Sequence, residues 1–363
     1  MQALVLVGGE GTRLRPLTRT APKPIVPLVD RPFIRYMIDW LARHGVDEVV
    51  LSIGFLAHGI REGLGDEIPG GPRLVYVEEP DRRGTAGAIK FAEDHLGDRF
   101  LALNGDVLTD LDLTALIRRH EESGAKATLA LYPVDDPTAY GLVRRKDDGE
   151  ITEFLEKPDP AEIDTNEISA GAYVLERSVL DMIPPDREFS IEREVFPRLV
   201  GEGLYSQRLE GYWMDIGTPE RYLQASWDIL EGRVETEPGA AVDDDGRYVA
   251  ADASVDSEAN VESPAWVDSG AAIEAGATVG GRAIVGPGSR IAERATVASS
   301  VLHAGCEIDP GAEIRDSILA PNVRVGRDAR IGPDCVIGQG ASIEPGAEVP
   351  AGSRIEPAED IAP

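Results

Sequence analysis

From Val255 an aliphatic side chain returns every sixth residue, at Val261, Val267, Ile273, Val279, Val285, Ile291 and Val297. The register slips by one, resumes at Leu302, Ile308 and Ile314, slips again, and runs through Leu319, Val325, Ile331, Ile337, Ile343, Val349 and Ile355. Two residues before nearly every aliphatic stands a small one, as at Ala253, Ala259, Ala265, Ala271, Ala277, Ala283, Ser289 and Ala295. A six-residue period with a large and a small inward position builds a triangular prism, one hexad per face. Aliphatics then stack along the axis and small residues fill the corners. The 18 hexads make six coils of three. Cys306 and Cys335 fall at the small inward position and are expected to be core filler. With only these two cysteines in the chain, neither a disulfide framework nor a zinc site is supported.

Up to about residue 231 the chain follows another grammar. Strand-like runs (Val49 to Ile53, Leu74 to Val77, Phe100 to Leu103, Ala127 to Leu131) alternate with helical stretches (Phe33 to His44, Ala86 to His95, Leu113 to Ser123). Such alternation predicts an α/β domain with a mainly parallel sheet covered on both faces. Ligands of such sheets sit beyond the carboxyl ends of strands, and Gly8, Asn104 and Asp106 all follow strand ends. Pro219 to Glu231 reads as a closing helix, and Glu235 to Asp252 as a linker. The expected division is an α/β domain over 1–231, a linker over 232–251 and the prism over 252–363.

The chemistry concentrates where the first strand, Leu4 to Val7, breaks into Gly8, Gly9 and Gly11, with Thr12, Arg13, Arg15 and Lys23 around the break. Glycines let the backbone turn tightly and bring N–H groups close to an anion without Cβ interference, and Arg13 and Lys23 add charge. That is the layout of a phosphate site. Acidic residues outnumber basic ones 65 to 36, and the net charge of -29 argues against nucleic acid or an anionic membrane as partner. An acidic chain that binds a polyphosphate needs a local cationic pocket, and two of its five lysines, Lys23 and Lys157, fall in the candidate motifs. No charged-then-apolar leader and no apolar run of about 18 residues is present, which points to a soluble cytoplasmic protein.

Asn104-Gly105-Asp106 places one carboxylate at a strand end, and Trp213-Met214-Asp215-Ile216-Gly217-Thr218-Pro219 offers a second just before the closing helix. Magnesium favours one or two carboxylates plus substrate phosphate oxygens, so Asp106 and Asp215 are a candidate pair of ligands. Gly84-Thr85-Ala86-Gly87 opens a helix, with Thr85 at a position suited to capping.

The string G-G-x-G-T-R-L-x-P-L-T, followed five residues later by K-P, resembles the sugar-1-phosphate nucleotidyltransferases, or nucleotide-sugar pyrophosphorylases. Phe154-Leu155-Glu156-Lys157-Pro158 resembles that family's F-x-E-K-P signature. Ser169-Ala170-Gly171-Ala172-Tyr173 is similar to its N-A-G-x-Y, with Ser169 replacing Asn, and Arg83 stands where the family usually has an apolar residue. The hexads resemble the left-handed parallel β-helix of hexapeptide-repeat proteins. The fold implied is a Rossmann-like nucleotidyltransferase domain followed by such a β-helix, and the reaction implied is NTP plus sugar 1-phosphate giving NDP-sugar plus pyrophosphate. The resemblance further implies that Asp106 and Asp215 bind Mg2+, that Gly8, Gly9, Gly11, Thr12, Gly84 and Thr85 serve the nucleotide, and that Gly105, Glu156, Lys157, Ser169 and Gly171 serve the sugar phosphate. Arg13 and Lys23 would hold the β- and γ-phosphates.

The segment Phe189 to Pro197 followed by Gly211 to Gly217 looks most like the mannose-1-phosphate guanylyltransferases. GTP with mannose 1-phosphate is therefore the expected pairing, and thymidylyl or uridylyl transfer to glucose 1-phosphate the rival. Two alternatives stay open: a catalytically silent regulatory subunit, or an added acyltransferase activity at His303, the only His of the repeat half, expected to stand exposed at a corner. Open solenoid ends and flat faces usually need caps or partners, so a homo-oligomer is expected.

Overall fold

The computed structural model describes residues 1–54 and 57–358. They divide into two compact units: Met1–Gly9 with Ile34–Trp213, and Glu10–Phe33 with Met214 onward. Among the described residues no helix is long and apolar enough to cross a membrane.

The first unit is built on a nine-stranded sheet. Its main path runs Ile151–Glu156, Gly141–Arg145, Glu167–Glu176, Arg99–Asn104, Gln2–Leu6, Glu48–Ile53 and Arg73–Glu78; Ala127–Pro133 pairs with Glu167–Glu176, and Leu204–Arg208 with Ala127–Pro133. Gln2–Leu6 is central, parallel to both Glu48–Ile53 and Arg99–Asn104. Such a strand is covered on both faces and reads as a continuous apolar run, and Ala3, Leu4 and Val5 are fully buried. The sheet is mixed rather than mainly parallel, because Glu167–Glu176 runs antiparallel to Arg99–Asn104, Ala127–Pro133 and Gly141–Arg145. The strands between 127 and 176 follow one another without a crossover helix, and short connections permit only antiparallel neighbours.

In the second unit three parallel sheets stack hexad on hexad. One has seven strands, from Arg247–Val249 to Arg354–Ile355, and the other two have six each. Ile273 and Ile331 (2% exposed) and Ile343 (8%) point inward as the period predicts. Val255, on an end coil, is 38% exposed, since no further coil covers it. The segment expected as a linker carries the helix Glu237–Ala241 and the strand Arg247–Val249, which pairs with Ala265–Val267. The two slips shorten a corner: Val285 pairs with Leu302 and Leu302 with Leu319, while Ser299 and Asp316 take positive φ at the shortened turns. Both cysteines are buried and free, and burial pushes the Cys306 thiol up to about 12, which leaves it unreactive.

The seven-stranded face differs from the other two. Its outward positions Trp266, Ile284, Val301, Ile318 and Val336 are apolar and buried, whereas outward positions elsewhere are residues such as Arg290, Glu307 and Arg330. The closing helix, Pro219–Leu230, lies along that face. Glu220 meets Arg354 at 3.4 Å, Tyr222 meets His303, and Arg282 sits 5.2 Å over the Trp227 ring while bonding Glu231 at 2.7 Å.

His303 is therefore not the exposed corner residue expected. It is 5% exposed, with Nε2 2.9 Å from the Tyr222 hydroxyl, which itself donates to the Pro27 carbonyl. Burial pushes its pKa from 6.5 down to about 4. Between those values the unfolded chain takes up a proton that the native state refuses, so stability falls as pH drops through that window and is unaffected by this group above it. The expected loss is about 3 kcal/mol. Urea unfolding of His303→Gln at pH 7.5, 6 and 5 should show a flatter acid limb than the parent, and an identical limb would contradict the buried neutral imidazole.

Candidate active site

In the first unit, hydrogen bonding continues past the central strand, with Val7 N–H donating to Ser52 O at 2.9 Å. The chain then passes so close to Gly54 that a Cβ on Gly54 would lie 3.4 Å from Gly8 O. Beside this turn stands Glu79, which accepts from the Ser52 hydroxyl at 2.6 Å and whose carboxyl is pushed up by burial. Gly105 N–H donates to Leu6 O at 2.9 Å, and a Cβ at 105 would meet Val7 Cγ1 at 2.4 Å. Only glycine allows this approach, which seats Asp106 next to the end of the first strand. Asn104 packs on Gly171, whose φ of +74° falls where the Glu167–Glu176 strand shifts register.

Lys157 follows its strand in the left-handed region, φ +55°, with its N–H on Tyr140 O at 3.0 Å. A non-glycine residue held there is strained, and such strain concentrates at functional sites. Its neighbour Glu156 is pushed up, first by burial and then by the Glu192 carboxylate.

Glu192 was not among the sequence candidates. Its Oε2 accepts from Thr85 Oγ1 at 2.7 Å and from Ser190 Oγ at 2.9 Å. It lies in a π-helical turn, Ile191–Val195, a conformation frequent at functional sites. Thr85 does not cap its helix, since its hydroxyl also accepts Ile191 N–H. Ala86 and Gly87 N–H both donate to Phe189 O, so the start of this helix is locked to the 187–191 segment.

In the second unit, Gly11 adopts φ +61° and a Cβ there would lie 3.0 Å from Lys23 Cβ, while the Thr18 hydroxyl donates to Gly11 O at 2.8 Å. Thr12, Arg13 and Leu14 form one 3-10 turn. A Cβ at Gly217 would stand 2.6 Å from Arg13 Nη2 and 3.1 Å from Asp215 Oδ1, so the missing side chain makes room for a guanidinium and a carboxylate together. Asp215 Oδ2 also accepts from Arg221 Nη1 at 3.1 Å, a pairing not read from the sequence. Thr218 caps the closing helix, which fixes the short turn that joins it to Asp215, the last residue of the strand Trp213–Asp215.

Thus Gly8, Gly9, Thr85, Asp106, Glu156, Lys157, Ser169 and Gly171 belong to the first unit, and Gly11, Thr12, Arg13, Lys23 and Asp215 to the second. Among the described residues no group of three or more His, Cys, Asp or Glu side chains could hold a metal by itself. Single carboxylates suit a cation that completes its shell with substrate oxygens and water.

A unit built on an α/β sheet with glycines past its central strand, and a second unit that sets Arg13 beside Asp215 and carries a β-helix, define a class of nucleotide-handling enzyme. The chain belongs to the Nucleotidyl transferase family, which matches residues 2–232, and residues 261–361 match the GMPPB C-terminal domain. It is 40% identical over 237 residues to the mannose-1-phosphate guanylyltransferase of Mycobacterium tuberculosis, covering 64% of this chain and 65% of that protein. The mannose-1-phosphate guanyltransferase of Yarrowia lipolytica is 39% identical, with 69% of each chain covered. A UTP--glucose-1-phosphate uridylyltransferase of Synechocystis is 34% identical, with 65% of each covered. Among solved structures, HddC from Yersinia pseudotuberculosis complexed with GMP-PN superposes with a TM-score of 0.54 at 28% identity, over 62% of this chain and 97% of that one.

Proposed function

We propose that the protein transfers a guanylyl group from GTP to mannose 1-phosphate, giving GDP-mannose and pyrophosphate. The observation that carries this reading is the 40% identity over 237 residues to a mannose-1-phosphate guanylyltransferase. Glu79 supports it from the nucleotide side, because a carboxylate accepts well from the N1–H and N2–H donors of guanine.

In this mechanism an oxygen of the sugar phosphate forms a bond to the α-phosphorus, and the bond to the β-phosphate breaks. The nucleophile is already an oxyanion, so no general base is needed and catalysis is positioning plus charge neutralisation. Arg13 and Lys23 hold the β- and γ-phosphates and receive the charge that develops on pyrophosphate. Lys157 holds the sugar phosphate and Glu156 sugar hydroxyls, while Glu192 positions Thr85. Asp106 and Asp215 are the carboxylates suited to Mg2+, which when bound would neutralise phosphate charge. The protein works as a homo-oligomer to which the β-helix contributes contacts.

Pyrophosphate release measured with four NTPs against mannose and glucose 1-phosphates tests the assignment. GTP with mannose 1-phosphate should give the highest kcat/KM. A preference above about tenfold, roughly 1.4 kcal/mol, for dTTP or UTP with glucose 1-phosphate would replace it with the rival pairing, and no release with any pair would favour a silent subunit.

A further inference from the structure

The first unit contains an open cavity of about 640 Å3 lined by none of the residues given a role above. That volume is within the range of small-molecule sites. Its lining is unusual for this chain. Lys90, Arg187 and Arg198 face only two carboxylates, Glu93 and Asp181, in a protein whose net charge is -29. Lys90 is already committed to Glu93 at 2.6 Å. Arg187 and Arg198 are held instead by an aromatic ring, their guanidinium carbons 5.4 and 5.5 Å from the Phe189 centroid. Such contacts orient a guanidinium while leaving its N–H donors for another acceptor. Residues 182–185, Met-Ile-Pro-Pro, give the cavity an apolar lining.

Phe189 also links this cavity to the first unit's part of the candidate site. Its carbonyl accepts Ala86 N–H at 2.9 Å and Gly87 N–H at 3.1 Å, and its own N–H donates to Arg83 O at 2.9 Å. The chain just before it is equally close, since a Cβ on Gly87 would lie 2.7 Å from Arg187 O. A ligand that ordered Arg187 and Phe189 would therefore order the turn that carries Thr85. A ligand binding one ordered form better than the alternatives shifts the population toward it, and this is the condition for an effector.

We propose that this cavity is an effector site for a small organic phosphate, its phosphate on Arg187 and Arg198 and its ring or carbon skeleton against the 182–185 lining. Inorganic phosphate shares the anionic part of this chemistry and lacks the rest. Adenosine 5′-monophosphate, which has no pyrophosphate to release, serves as the organic probe.

Calorimetric titration of the full chain with each probe, with and without saturating GTP, gives the first test. AMP should bind at least tenfold more tightly than inorganic phosphate, and GTP should not displace it. The R187Q/R198Q variant changes two exposed side chains and should lose at least tenfold in AMP affinity while keeping its melting temperature. In the parent protein, AMP should slow hydrogen exchange at the Ala86 and Gly87 amides. Competitive displacement by GTP would place the probe in the substrate site and overturn the proposal, as would equal affinity for the two probes or an unchanged affinity in the variant. Unaltered exchange at Ala86 and Gly87 would overturn the effector role. These readouts are binding and exchange, so they stand or fall separately from nucleotidyl transfer.

Discussion

Asp106→Asn and Asp215→Asn should each lower kcat by at least about 10³-fold, roughly 4 kcal/mol of transition-state stabilisation, with the melting temperature kept. An amide is a poor ligand for a hard cation, and Asn keeps the size of each side chain. Asp106 sits at a strand end positioned by Gly105, and Asp215 closes the short strand Trp213–Asp215, ahead of the turn fixed by the Thr218 cap and crowded by Arg13 at Gly217. Losing the Asp215 carboxylate also loosens Arg221, whose partner it is at 3.1 Å, so this variant should show the larger rise in KM for magnesium. Steady-state kinetics across a magnesium titration decides the matter. Near-normal turnover of either variant at saturating magnesium would remove that residue from the metal site.

Ile318→Asp should be the most damaging single change in the second unit. Ile318 points outward from the seven-stranded face, beside which the closing helix meets Arg282, His303 and Arg354, and it is fully buried. A carboxylate there has no partner and no water, a combination that costs more than about 4 kcal/mol. Ser342→Asp is its control: the same kind of outward position on a face left open to solvent, where such a change stays within about 0.5 kcal/mol. Urea denaturation of the two variants should separate them widely. Similar midpoints would mean that the helix does not seal the apolar face.

Much of this was legible beforehand for a physical reason. The hexad period is a one-dimensional repeat in which each residue answers to its neighbours one coil away, so Ile273, Ile331 and Ile343 could be placed inward from spacing alone. The apolar outward residues were written at a longer interval. Trp266, Ile284, Val301, Ile318 and Val336 recur every third hexad, 17 or 18 residues apart, and a search confined to one hexad passes over them. His303 was misjudged for the same reason, since a prism corner is exposed only where nothing lies along the adjoining face. In the α/β half the motifs gave candidate residues but no geometry. The room that Gly217 makes for Arg13 and Asp215 is a contact between chain segments some 200 residues apart, and no local pattern encodes it. Glu192 lay inside a segment already singled out, but its bond to Thr85 crosses 107 positions.

The division of the chain into compact bodies sets the terms on which it can be recombined. The β-helix looks like a separable appendix, joined at a single point near residue 232, and a chimera builder would cut there. Such a cut would strip the apolar sheet face of its helix and leave behind residues 10–33, which belong to the same body. The piece that travels intact with the β-helix runs instead from 214 onward and takes 10–33 with it, and so carries Thr12, Arg13, Lys23 and Asp215. Exchanging β-helices between relatives therefore means exchanging part of the charge proposed to handle phosphate as well, and such swaps should be designed as two-segment grafts rather than as fusions at one joint.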